Sequence, residues 1–391
     1  MTATRIIAII IALLIDVQIV RNAAVLLYAP SKPMLAAKFW PTHPATEISL
    51  STTEIARAAR DRRAAPPSAF AMMTDASSKE PLAPEPFLVR GVNAELARDG
   101  AVAQKAFEAA QWRDPRSLAA ASFLADRYFR AGDLERGLRE IAALARLSPA
   151  GPSSVGPYLA AYATNPTNWP ALRNFFQTNH GLYEPIMAAL AANMATVPAV
   201  LALAQPNEKA ATADWLAPLL NTLVAHGQYD EAREIWEKMT GAQLRSGQLI
   251  YDASFSDRSS PPPFNWTLGS SMVGLSERQP GGRLHVIFYG QEDGFLANEL
   301  LLLQPGSYRL SMQLLGDAAR AHTLNWSIWC DKAAAPISSV TLDAAAERGW
   351  SFVVPKDCPA QSLKLSGVSS GVPQQSDVTI AGLRLEQAGR A

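Results

Sequence analysis

The hydrophobic period of this chain changes at Gly247, and no single layer of secondary structure accommodates both sides of that change. Before it, apolar residues recur at i, i+3 and i+4, the spacing of a helix that buries one stripe. After it, short runs alternate between apolar and polar and are cut by turn residues, the spacing of strands that bury one face. The chain must therefore build helix-on-helix layers first and a β domain second. Its 391 residues suffice for two to three cores.

The helical part carries an internal period. Pro115 and Pro149 lie 34 residues apart. Leu118, Ala121, Leu124, Ala125 and Tyr128 form one stripe and Leu138, Ile141, Ala142, Leu144 and Ala145 a second, with Gly132-Asp133 placed to turn between them. Gly227-Gln228-Tyr229-Asp230-Glu231-Ala232 repeats the layout of Gly132-Asp133-Leu134-Glu135-Arg136-Gly137, with a small residue five after the turn glycine. A degenerate first unit is expected over 87–114. These hairpins resemble tetratricopeptide repeats. Between them, 152–205 is broken by Pro157, Pro166, Pro170, Pro185 and Pro198, and is expected to form shorter helices. Stacked hairpins of this kind form a groove, and a partner protein is the expected occupant.

The N-terminus is apolar from Ile6 to Ile15 and again from Ala23 to Ala29, with Asp16, Gln18, Arg21 and Asn22 between. Taken from Ile6 to Tyr28 it makes about 35 Å of helix, enough to cross a hydrocarbon core of ~30 Å. An uncleaved anchor is the expectation, with a cleaved signal peptide as the alternative. Residues 30–86 hold nine prolines and read as a tether, with a helix only at Ser51 to Ala65, where Ser51 and Glu54 make a capping box. The run Arg57, Arg60, Arg62 and Arg63 reads as a solvated face or a contact to anionic lipid or polysaccharide.

Beyond Gly247, strands are expected near 265–269, 283–289, 295–303, 306–315, 324–330, 349–355, 362–368 and 378–387. Eight short strands in this span point to a two-sheet sandwich. The run Leu301 to Gly316, with Pro305-Gly306 between two apolar strands, resembles jelly-roll carbohydrate-binding modules. So does Asp252-Ala253-Ser254-Phe255 followed by Phe264-Asn265-Trp266, although Asp252-Ala253 stands where those modules carry Asn-Gly. Tyr308, Leu310, Met312 and Leu314 are expected on the core face, and Ser307, Arg309, Ser311 and Gln313 on the other. Cys330 and Cys358 would pair in an exported protein and stay buried thiols in a cytosolic one. Their confinement to one β domain favours pairing, and with it an exported body.

The whole layout is similar to a family of anchored bacterial envelope proteins that carry tetratricopeptide-like helices and a C-terminal jelly roll and are associated with exopolysaccharide. The resemblance implies a multidomain α+β chain: a transmembrane signal anchor at 1–29, the tether at 30–86, an α-solenoid of tetratricopeptide-like hairpins at 87–246 and an antiparallel β-sandwich at 247–391. It implies a single-pass inner-membrane protein with its bulk in the periplasm. Its partners would be the membrane, an envelope protein bound through the repeats, and a polysaccharide.

The chemistry inventory is sparse. The formal net charge of +0 offers no basic face for nucleic acid. His43, His180, His226, His285 and His322 are scattered, and no HExxH motif occurs. No catalytic residue, cofactor or metal site is expected, and the chain reads as a non-catalytic scaffold supporting surface polysaccharide. The alternatives are a pure protein adapter and a polysaccharide-degrading enzyme. If the sandwich binds glycan, an aromatic ring must stack on a sugar. Trp266, Tyr289 and Trp350 are the loop candidates, with Arg309 on the sheet face to hold an acidic sugar.

Overall fold

The computed structural model describes residues 3–148, 151–204, 213–245, 247–316, 318–370 and 374–388. Pro149, which marks the 34-residue period, lies outside them. The chain divides into two compact units, Met1–Val155 and Gly156–Ala391.

The first unit is all helical: α1 (Ala3–Tyr28), α2 (Pro33–Phe39), α3 (Pro44–Arg60), α4 (Pro67–Lys79), α5 (Glu85–Leu96), α6 (Gly100–Arg113), α7 (Leu118–Arg130) and α8 (Leu134–Leu147). Helices α3/α4, α5/α6 and α7/α8 pack as three successive hairpins. The expected tether is therefore mostly helix. Four of the nine prolines that suggested it, Pro33, Pro44, Pro67 and Pro86, sit in the first turns of α2, α3, α4 and α5, where the missing N–H has no helical partner to lose and the fixed φ is already helical.

The hairpin turns follow from local chemistry. Gly132 takes φ +77°, and the Asp133 carboxylate then accepts from the Arg136 N–H at 3.2 Å, capping α8. Asp99 caps α6 in the same way, accepting from Val102 N–H at 3.1 Å. Gly137 lets α8 close on α7, since a Cβ there would sit 2.5 Å from the Phe129 ring. Gly137→Val is expected to destabilise the first unit by roughly 1–3 kcal/mol through overpacking. Thermal unfolding of the full chain in detergent checks this, and an unchanged midpoint contradicts it.

The second unit begins with short helices: α9 (Gly156–Ala163), α10 (Trp169–Thr178), α11 (His180–Ala191), α12 (Val197–Leu203), α13 (Leu216–Ala225) and α14 (Tyr229–Thr240). The strands are β1 (Thr267–Leu268), β2 (Gly274–Gln279), β3 (Arg283–Phe288), β4 (Gly294–Leu301), β5 (Gly306–Gly316), β6 (Leu324–Cys330), β7 (Pro336–Thr341), β8 (Trp350–Val354), β9 (Gln361–Gly367) and β10 (Ser376–Gln387), with α15 (Leu342–Arg348) between β7 and β8. They form two five-stranded sheets, ordered β1-β4-β9-β6-β7 and β2-β3-β10-β5-β8, antiparallel at every pairing. Alternate residues such as Tyr308, Leu310 and Met312 of β5 and Leu284, Val286 and Phe288 of β3 fill the space between the sheets.

The compositional boundary at Gly247 is not a packing boundary. Trp236 of α14 is fully buried against the sandwich side. Its indole N–H donates to Pro261 O at 2.8 Å, and its ring meets Tyr251 edge-on at 4.7 Å. Tyr229 O–H donates to the Asp331 carboxylate at 2.7 Å. The last helical hairpin thus shares a unit with the β domain.

Candidate functional site

In each hairpin of the first unit the leading helix, α3, α5 or α7, contributes to one continuous apolar groove of about 510 Å³. Ile55 and Ala59 come from α3, Leu88, Val89, Val92 and Leu96 from α5, and Ala119 and Phe123 from α7, and Phe70 of α4 also lines it. Leu96 is 79% exposed, and Val92 and Phe123 are each more than a third exposed. Scattered surface leucines are ordinary; here the apolar side chains form one concave row drawn from three successive hairpins.

The groove is held rigidly from behind. Phe123 stacks on the fully buried Phe107 of α6 at 4.5 Å, nearly parallel. Tyr128 donates to the Glu108 carboxylate at 2.9 Å, and Arg127 pairs with Glu95 at 3.6 Å, tying α7 to α6 and α5. Burial, then the hydrogen bond to Glu108, pushes the Tyr128 hydroxyl up to about 12, so it remains a donor at neutral pH. Gln111 donates to Glu140, joining α6 to α8.

A run of arginines leads from α3 to the groove. Arg57 and Arg60 end α3, where a helix C-terminus favours positive charge. Arg62 and Arg63 follow in the corner to α4, and Arg63 lines the groove itself. Asp61 pairs with Arg63 at 3.3 Å, the two side chains both largely exposed.

The glycan candidates are not brought together. Trp266 is 3% exposed: its indole donates to Asp252 O at 2.9 Å and its ring packs on Phe255 at 5.1 Å. Trp350 is 5% exposed, donates to the Ser338 hydroxyl at 3.1 Å and packs on Phe352 at 4.9 Å. Both are core residues, and neither presents a face to a sugar. Their expected loop role is therefore corrected. Trp350, Phe352 and Val354 alternate in the sequence, a phase that already placed Trp350 with the core.

Tyr289 is 40% exposed and Arg309 is exposed. Tyr289 follows Phe288, which pairs with Ser376 at the start of β10, while Arg309 pairs with Glu386 near its end. That separates them by roughly 30 Å of strand, too far to share one sugar. Arg309 moreover donates to Arg348 O. The Cys330 and Cys358 sulfurs are joined, with Cα atoms 5.5 Å apart.

The second unit holds a buried carboxylate, Glu299, that sequence reading passed over. Glu299 of β4 is 1% exposed, and one of its oxygens accepts from Tyr251 N–H at 2.8 Å. Burial raises its pKa to about 8 against the opposing pull of Arg233 and Arg278. Arg233 lies over the rings of Trp236 and Phe264 at 4.8 and 5.2 Å. Among the described residues, no three His, Cys, Asp or Glu side chains gather as a metal site.

No protein-family model matches the chain, and no curated protein matches it. Solved structures with which it aligns include the accessory secretory proteins 1, 2 and 3 of Streptococcus pneumoniae, at 12% identity and a TM-score of 0.24, covering 31% of this chain and 90% of that one. MamA of Desulfovibrio magneticus RS-1, from residue 41 on, aligns at 16% identity and a TM-score of 0.24, over 50% of this chain and 94% of that one. Yeast Tom70 aligns at 13% identity and a TM-score of 0.28, over 53% and 44%. Superpositions this loose carry no functional inference, and the hairpin architecture of this chain rests on its own packing.

Proposed function

We propose that this chain is a membrane-anchored, non-catalytic scaffold whose helical hairpins hold a helix of a partner protein. The carrying observation is the groove shared by α3, α5 and α7. Its apolar floor suits the hydrophobic face of an amphipathic helix, and Arg63 in its lining suits an acidic residue flanking that face. In this reading α1 is a single inner-membrane span, the only described helix long and apolar enough to cross a bilayer. The rest of the chain lies outside the cytoplasm, where the Cys330–Cys358 pair is oxidised and the partner is another envelope protein. An alkaline phosphatase reporter fused after Gly241 is expected to be active and a green fluorescent reporter dark; the reverse pattern refutes this topology.

A polysaccharide ligand finds less support in the side chains. With Trp266 and Trp350 in the core, only Tyr289 and Arg309 remain exposed, and they stand too far apart to form one site. The adapter reading, in which the sandwich binds no sugar, is the one the packing favours.

The test places a photo-crosslinking side chain at Val92, Leu96 or Phe123 in cells, with the exposed Trp112 of α6 as control. Discrete adducts from the groove positions, absent from Trp112, are expected. Val92→Glu puts an unpaired carboxylate where the partner's apolar face must sit. That costs roughly 2 kcal/mol or more, so purified partner identified by the adduct should bind at least about 30-fold more weakly. Identical adducts from all four positions, or unchanged affinity of Val92→Glu, overturn the proposal.

A further inference from the structure

We infer that the lipid-facing span of α1 ends at Arg21, and that the hairpin formed by the rest of α1 with α2 sits in the headgroup layer of the bilayer. The inference rests on reading α1 as a membrane span and goes beyond it by fixing where the bilayer lies on the chain.

From Ile7 to Val20 every residue of α1 is exposed. Its apolar side chains from Ile7 to Val20, Leu13 and Leu14 among them, are exposed by about half or more. From Arg21 onward the same helix is covered on one side. Val25, Ala29 and Ala36 are buried together where α2 folds back along α1. The Arg21 guanidinium donates to Phe39 O at 3.2 Å and lies over the Trp40 ring at 4.6 Å. Asn22 bonds the His43 imidazole at 3.1 Å, and Tyr28 stacks on Phe39 at 5.9 Å. The polar cluster that interrupts the apolar run is thus the point at which protein replaces lipid around the helix.

The dimensions agree. Ala3–Val20 gives about 27 Å of helix, against a hydrocarbon core of ~30 Å. If the span instead ran to Tyr28, then Arg21, Asn22 and Trp40 would lie some 10 Å inside the hydrocarbon, where a guanidinium is costly.

The hairpin itself has the mixed surface of an interfacial element. Leu26, Leu27 and Met34 project well clear of it and Phe39 is partly exposed. Lys32 and Lys38 are exposed beside them, matched to lipid phosphates, and Trp40 stands at the level of Arg21, where aromatic side chains favour the edge of the hydrocarbon. This apolar surface is continuous along α1 with the lipid-facing span, and the occupant it fits is the same phospholipid bilayer.

Spin labels test the placement in the full chain, reconstituted in nanodiscs of phosphatidylethanolamine and phosphatidylglycerol. Single cysteines replace Leu13, Met34, Lys38 and Leu96, each exposed, so that labelling disturbs no packing. Accessibility to oxygen and to a water-soluble nickel chelate then gives depth. Leu13→Cys is expected in the hydrocarbon, Lys38→Cys at its edge, Met34→Cys among the headgroups and Leu96→Cys in water. A Lys38 label as deep as that at Leu13 would put the exit at Tyr28 and overturn the inference. Labels at Lys38 and Met34 as wet as that at Leu96 would lift the hairpin off the bilayer and also overturn it. A Leu13 label in water would sink the span itself, and both readings with it.

Discussion

Replacing Glu299 with Gln is expected to leave the fold intact at pH 5 and to make it more stable than the parent above pH 8. Glu299 is buried beneath Tyr251, and burial raises its pKa from the ordinary 4.5 to about 8. The folded chain therefore holds a proton that the unfolded chain releases at about 4.5. Its contribution is fully present below that value and is lost as pH rises through 8. The slope over this window integrates to a few kcal/mol at most, with the residual charges of Arg233 and Arg278 reducing it. Gln keeps the acceptor for Tyr251 N–H and removes the ionisation, so the slope should flatten. His285 slopes the same way above its usual 6.5: burial lowers its pKa, but hydrogen bonds to Glu277 and Asp377 outweigh that and raise it. Asp257, held below its normal range by the Ser259 and Ser260 donors that overcome its burial, acts only in acid. Hydrogen exchange of β4 in the full chain from pH 5 to 9 reads the effect, and equal pH slopes in parent and Glu299→Gln would refute it.

What the sequence disclosed depended on whether a residue's neighbours were near in the chain or far. The hairpins around Gly132 and Gly227 were legible because turn, cap and stripe all lie within one repeat. Six of the eight strands read from the sequence, β3, β5, β6, β8, β9 and β10, were legible because each has a core-facing alternate row. The two strands not read, β2 and β7, are edge strands, one in each sheet. The residues of β7 are nowhere fully buried and those of β2 are mostly polar, so neither has the alternation that identifies an inner strand. The prolines of 30–86 were visible, but as breaks. Only the position of four of them at helix starts shows that they punctuate a run of helices, α2 to α5.

The groove was half legible. Leu88, Val92 and Leu96 recur at i, i+4 and i+8, a stripe open to reading, but its facing residues Ile55 and Phe123 belong to other hairpins. Glu299 gave no signal, since a lone Glu in an apolar strand has the same letters whether its neighbours are solvent or Tyr251, Arg233 and Arg278. Trp266 and Trp350 misled because a tryptophan near a turn reads as exposed, while here each indole N–H finds an internal acceptor and so is buried at little cost.

Removing the Cys330–Cys358 link, as Cys330→Ala with Cys358→Ala, is expected to destabilise the second unit by about 3.5 kcal/mol, the loop-closure value for a 28-residue separation. That corresponds to a fall in Tm of roughly 7–14 °C for a unit of this size. The tethered segment explains why the loss should be near the full entropic value. Between the two cysteines the chain makes β7, crosses through α15 and enters the other sheet as β8. The link thus holds the excursion from one sheet to the other closed at its root. One side of that root is secured independently: Gln361 is fully buried and donates to Cys358 O at 2.7 Å, while accepting from Leu303 N–H at 2.8 Å. Native geometry around Cys358 should survive the substitution, leaving the greater freedom of the unfolded chain as the main effect. Reductant applied to the parent protein should produce the same fall and leave the double variant unmoved. Thiol blocking before lysis should recover the pair oxidised if the second unit is outside the cytoplasm. A double variant that melts with the parent would remove the link as a stabilising element, and a reduced pair in intact cells would place this unit on the cytoplasmic side.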